Sequence, residues 1–257
     1  MWAASDTLRI GDVLVGVRSD PAPLSKRIHS MLAEHLVEGL EAPPNYSIRL
    51  ETREPGRKAP AHGYVLYRSQ CLLLRTRQRE RVLRALMTCL SGHVEPLDGR
   101  LRVQQLAVIG RSGAVILPNE LFWRLEALES RLGDHGVRLA EPPFVDIDAR
   151  TGELIVAPPT MDADPAKTGR GWPGFASADG HAGDRHPIVE WTFLGSDDEA
   201  LTSRAALGVV MPLLHEGAQS SSLALEVVPR ILARAKLQHI GRERSSRLLE
   251  RIVGSVG

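Results

Sequence analysis

Short runs of branched apolar residues alternate along this chain with longer stretches whose apolar residues recur every three or four positions, which restricts it to a mixed α/β architecture. The strand-like runs are LRIGDVLVGV at 8–17, residues 47–51, a hairpin of 64–68 and 71–75 about Ser69-Gln70, LRVQQLAVI at 101–109, AVIL at 114–117, residues 137–140, 144–147 and 153–157, and IVEWTFL at 188–194. Helical spacing predicts helices over 24–40, from about 78 onward, over 119–134, 201–214, 222–237 with Pro229 near a bend or start, and 242–253. Pro118 and Asn119 stand at the start of the third of these as stop and cap. The expected arrangement is a small α+β region over residues 1–95, then an α/β core over 96–257 with a mixed sheet and flanking helices.

A hydrophobic content of 43% over 257 residues is enough to bury a sizeable core, so disorder throughout is excluded. Its 32 basic residues oppose 31 acidic ones, and a net charge of +1 removes the simple electrostatic argument for wrapping nucleic acid. Only four of the basic residues are lysines, Lys26, Lys58, Lys167 and Lys236, a bias that reads as codon usage rather than chemistry. Cys71 and Cys89 lack the neighbours of a zinc site and read as buried free thiols. Residues 1–6 carry no basic and apolar secretion signal, and no uncharged apolar run is long enough to cross a bilayer, so the expected compartment is the cytoplasm.

Residues 158–187 break the pattern. Rich in Pro, Gly, Asp and Ala, they read as a long mobile loop in which Trp172 and Phe175 offer two large apolar groups to a partner. The chemistry-bearing motifs are missing or broken. A phosphate-cradling loop needs glycines followed by Lys and Ser/Thr, and Lys167-Thr168 has no glycine in the five residues before it. His181, Asp184 and His186 have metal-ligating side chains, but a polar loop accounts for them equally well. Gly110-Arg111-Ser112-Gly113 lacks the spacing of a hydrolase elbow. No catalytic residue, metal ligand or cofactor is assigned.

The basic run Arg75, Arg77, Arg79, Arg81 and Arg84 either grips an acidic peptide or phosphate, or is a solvated helix face. With an exposed hairpin edge at 64–75, the candidate peptide-binding residues are Arg68, Arg75, Arg77, Arg81, Trp172 and Phe175.

Across residues 101–148 the order strand, turn, strand, helix, strand resembles the core of HPr-kinase-related proteins, a family sharing its fold with phosphoenolpyruvate carboxykinase. Gly136-Val137-Arg138-Leu139 matches a Gly-x-Arg-Leu segment of that family, residues 114–118 the approach to its phosphate loop, and 122–132 the helix after it. HPIVEWTFL and the helices beyond it are also similar, so the likeness covers most of the chain. The departures fall on the working parts. Gln104-Gln105 stands where the family has a histidine, Pro118-Asn119-Glu120-Leu121 replaces the glycine-lysine loop, and Pro142-Pro143 replaces paired aspartates. Phosphoryl transfer depends on positioning and charge stabilisation, so these losses imply a pseudokinase.

The resemblance therefore implies a non-catalytic accessory protein that recognises a precursor peptide or a partner modifying enzyme in ribosomal peptide natural-product biosynthesis, as in daptide-type bacterial pathways. It implies neither nucleic acid nor membrane as partner. The alternative is an ATP-dependent kinase rebuilt around Asp146, Asp148 and the HAGDRH segment. A homo-oligomeric structural subunit is a third reading.

Overall fold

The computed structural model describes residues 2–10, 12–52, 62–91, 93, 99–140, 144–156, 184–195, 201–214, 220–241 and 245–257. These fall into two compact units, one ending at His93 and the other beginning at Gly99. The protein is mixed α/β, and the described residues build three sheets.

In the first unit, β1 (Ala4–Ile10) and β2 (Val13–Asp20) form an antiparallel hairpin. Helix α1 (Ala22–Met31) then crosses over to β3 (Pro44–Thr52), which lies parallel to β2. Strands β4 (His62–Arg68) and β5 (Cys71–Thr76) complete the sheet, in the order β1-β2-β3-β4-β5. Helix α2 (Arg79–Ser91) follows. Both helices pack on one face. Ser19 of β2 donates its hydroxyl to Ser25 of α1 at 2.9 Å, and the Tyr46 hydroxyl of β3 reaches His93, just past α2, at 3.0 Å. Leu24 and Ile28 of α1, with Val82, Leu83, Leu86 and Leu90 of α2, cover Val17, Tyr46, Ile48, Leu66 and Leu74. The strand period of two leaves the alternate residues of β2 to β5 on the opposite face.

In the second unit, a four-stranded antiparallel sheet joins β6 (Arg100–Val103), β10 (Val145–Asp148), β11 (Leu154–Val156) and β12 (Asp184–His186). A five-stranded mixed sheet has the order β14-β13-β8-β7-β9, from β7 (Leu106–Gly110), β8 (Gly113–Leu117), β9 (Arg138–Leu139), β13 (Ile188–Leu194) and β14 (Lys236–Ile240). Of these, β8, β13 and β14 are parallel. Helices α3 (Phe122–Asp134) and α6 (Ser245–Val256) contact each other on the mixed sheet, and α4 (Ser203–Val210) contacts α5 (Ser220–Leu232). Between the two sheets and against α4 and α5, the core gathers Leu101, Val103, Ile116, Ile147, Trp191 and Phe193 with Val210, Val227 and Val228.

Several elements differ from the sequence expectation. The helix expected over 24–40 stops at Met31, because Leu36 forms an antiparallel bridge to Leu8 and the Val37 amide binds Thr7. The strand expected over 101–109 is two strands in different sheets. Gln104 and Gln105 make the break: the Gln104 amide binds the Leu213 carbonyl, and the buried Gln105 side chain accepts the Trp191 indole N–H at 2.5 Å. The helix expected over 222–237 ends at Leu232 with Pro229 inside it, and residues 236–240 are instead strand β14. Residues 184–186, expected in the long loop, are strand β12; the remainder of that loop lies outside the described residues. Cys89 is buried as expected, whereas Cys71 is exposed at the start of the sheet-edge strand β5.

Candidate functional site

Open α/β sheets bind ligands beyond the carboxyl ends of their parallel strands. Here Leu117 ends β8, and Pro118 leads at once into a 3-10 turn of Asn119–Leu121 and then α3, with no loop between them. A polyphosphate cradle needs consecutive convergent amides and a lysine. Pro118 has no amide N–H, no lysine is present at this junction, and Glu120 adds a carboxylate. The cleft beside the junction is about 540 Å³ and open, lined by Leu121, Leu194 and Ile240, by Gly195 and Gly241, and by Glu120 and Arg124. Gly195 is required in its wall, since a Cβ there would lie 2.2 Å from Nδ1 of His239.

Asp146 and Asp148 of β10 are already neutralised. Arg102, opposite Asp146 across β6, binds it through two bonds of 2.7 and 2.9 Å. Asp148 accepts the amides of Arg150 and Thr151 at 2.8 and 2.9 Å and pairs with Arg185 of β12. Burial works to raise the pKa of Asp148, but those amides and the Arg185 guanidinium outweigh it and hold the carboxyl at about 2. A group depressed in the folded state contributes stability above its ordinary range and loses it as pH falls. Asp148→Asn is therefore expected to cost about 1–2 kcal/mol at neutral pH. That difference from the parent shrinks between about pH 4 and 2, as read by urea denaturation at each pH.

Asp184 and His186, expected as loop ligands for a metal, lie on β12 with Arg138 between them, 3.4 Å from the Asp184 carboxylate and 3.5 Å from Nε2 of His186. Burial and then the Arg138 charge push the His186 pKa down. The Arg138 cation lies against both side chains; His181 lies outside the described residues. Among the described residues, no group of three or more His, Cys, Asp or Glu side chains is placed to hold a metal ion.

The structure separates the arginines that the sequence grouped. Strand β5 is a sheet edge, with Leu72 42% exposed beside Cys71. Arg75 of β5 pairs with Glu51 of β3 at 2.5 Å, on the face away from α1 and α2. Arg68 falls at the far end of the β4–β5 hairpin and lowers the pKa of His93, second to the effect of burial. Arg77 lies exposed between β5 and α2. Arg81, read from the sequence as part of a solvated face, is only 8% exposed. Trp172 and Phe175 lie outside the described residues.

What the structure does gather around Arg75 escaped the sequence reading. The Glu51 carboxylate accepts Arg49 at 2.8 Å and the Tyr67 hydroxyl at 3.2 Å on one oxygen, and Arg75 on the other. Burial raises the Glu51 pKa, but the hydrogen bond from Arg49 and the charges of Arg75 and Arg49 outweigh it and hold the carboxyl below its ordinary value. Arg18 of β2 sits on the same face, donating to the Ser47 hydroxyl at 3.2 and 3.0 Å and lying 4.7 Å over the ring of Trp2. The available signal was strand alternation: Arg18, Ser47, Arg49, Glu51, Tyr67 and Arg75 each occupy the outward phase of a strand.

No helix among the described residues is long and apolar enough to cross a membrane. No family model, curated protein or solved structure matches the chain.

Proposed function

We propose that this chain is a non-catalytic binding protein on a degenerate HPr-kinase-like core, recognising a precursor peptide or its modifying enzyme in ribosomal peptide natural-product biosynthesis. The observation that carries this reading is the junction from β8 to α3, where proline, a 3-10 turn and Glu120 stand in place of glycines and a lysine. A nucleoside triphosphate brought there meets a carboxylate and loses the amides that would offset its charge. The order β7, β8, α3, β9, with β13 parallel to β8, supports the kinase-like core. Fold alone assigns no activity, so the pathway rests on the pattern resemblance.

The alternative, a kinase rebuilt around Asp146 and Asp148, has no observation in its favour, since arginines already hold both carboxylates. Calorimetric titration tests the proposal. A precursor peptide encoded beside this chain is expected to bind saturably with no turnover, and magnesium-ATP to give no binding heat. Transfer of phosphate from ATP to that peptide would overturn the proposal.

A further inference from the structure

On the face of the first unit's sheet away from α1 and α2, Arg49 and Arg75 hold the Glu51 carboxylate and Arg18 binds Ser47 further along. Asp20, in register with Arg49, shares this face, so three guanidiniums and two carboxylates leave a net positive charge. Arg49 and Arg75 are 46% and 40% exposed, whereas Glu51 beneath them is 23% exposed. Each guanidinium carries five N–H donors. Arg49 and Arg75 each spend one on Glu51, and Arg18 directs two at the single oxygen of Ser47. Arg49 also lies 5.9 Å from the centroid of the Tyr67 ring, and the exposure of Arg49 and Arg75 leaves part of each guanidinium open to a ligand. Glu51, Ser47 and the Trp2 ring hold the three side chains in place, so much of their rotamer entropy is lost before any ligand arrives.

The spacing of the cations selects the ligand. Arg18 is opposite Ser47, one strand across and two residues along from Arg49, a separation of about 8 Å. Arg75 stands two strands from Arg49, with Val65 between, about 10 Å away. Alternate side chains of an extended peptide are about 7 Å apart, short of these spacings by roughly 1–3 Å, which the long arginine and glutamate side chains span. Such a peptide can set carboxylates over the arginines and a neutral residue over Glu51. A continuous polyanion would have to place charge over Glu51 as well, and three cations are few for a nucleic acid.

We infer that this face is the docking surface for an extended acidic peptide segment, with carboxylates on alternate residues bound by Arg49, Arg75 and Arg18. The inference rests on the peptide-binding reading above and gives it a face and a ligand chemistry. Docking by charge on the open face differs from strand addition at β5, and the two respond to different substitutions.

The test is fluorescence anisotropy with a labelled nonapeptide alternating glutamate and alanine. Its comparators are a peptide of equal composition with the glutamates in one block, a lysine counterpart and a single-stranded oligonucleotide. The full chain is expected to bind the alternating peptide most tightly, and added salt to weaken that binding. The double variant Arg49→Gln with Arg75→Gln is expected to weaken it at least tenfold, with an unchanged circular dichroism spectrum. Arg111→Gln, a surface change in the second unit, is expected to alter it less than twofold. Glu51→Gln is expected to narrow the preference for the alternating over the block peptide, because the central repulsion is gone. Failure of the full chain to bind the alternating peptide, or tighter binding of the oligonucleotide, overturns the inference. So does a double variant that binds like the parent. If that binding is lost instead in Leu72→Glu, a change on the exposed edge strand β5, peptide recognition survives and only this face is wrong. Phosphate transfer from ATP would sink the wider reading.

Discussion

Replacing Trp191 with alanine is expected to lower the unfolding free energy by about 3–5 kcal/mol, among the largest losses any single side chain of this protein can produce. Trp191 is fully buried in β13, the strand between β8 and β14, and its ring stacks on Phe193 with centroids 6.4 Å apart. Its indole N–H donates to Gln105, which is itself only 3% exposed. Truncation removes the largest fully buried side chain in the chain's described core and strands the Gln105 carbonyl without its donor. Trp191→Phe keeps most of the apolar contact and loses only that hydrogen bond, so its expected cost is about 1–2 kcal/mol. Urea denaturation followed by circular dichroism distinguishes the two, and equal effects would mean that packing around the indole matters less than its N–H.

Gly113→Ala is expected to cost about 3 kcal/mol or more, despite adding a single methyl group. Gly113 opens β8 with φ +145°, a conformation that side chains disfavour. A Cβ there would lie 2.4 Å from the Pro187 carbonyl oxygen and 2.8 Å from the Val189 side chain. The Pro187 oxygen accepts the Ala114 amide at 2.8 Å, so moving it aside breaks the first rung between β8 and β13. Leu194, the last residue of β13, lines the 540 Å³ cleft, and the variant is expected to loosen it there. Hydrogen exchange should show reduced protection at Ala114 and along β13; protection equal to the parent would contradict the packing described.

Local patterns made much of this architecture readable. The β4–β5 hairpin, β8 and β13 stand where branched residues and turn chemistry placed them, because each depends on near neighbours in the chain. What escaped depends on distant partners. Strand β14 exists because Lys236–Ile240 pairs with β13, and nothing inside ARAKLQHI separates it from the helix before it. The break at Gln104-Gln105 is set by Leu213 and Trp191, both remote in sequence. The cluster around Glu51 is of the same kind: Arg75 is 24 positions from Glu51, and Arg18 is 29 from Ser47. A run of arginines on one stretch of chain drew attention to Arg77 and Arg81, whereas cross-strand register chose Arg18 and Arg49 instead.

The most direct test of the account is binding calorimetry of the full chain with magnesium-ATP, because the whole reading turns on whether the end of β8 can hold a polyphosphate. The account predicts no saturable heat up to millimolar nucleotide and no change in the amide resonances of residues 119–124. Micromolar binding that shifts those resonances, and that Glu120→Gln strengthens, would contradict it.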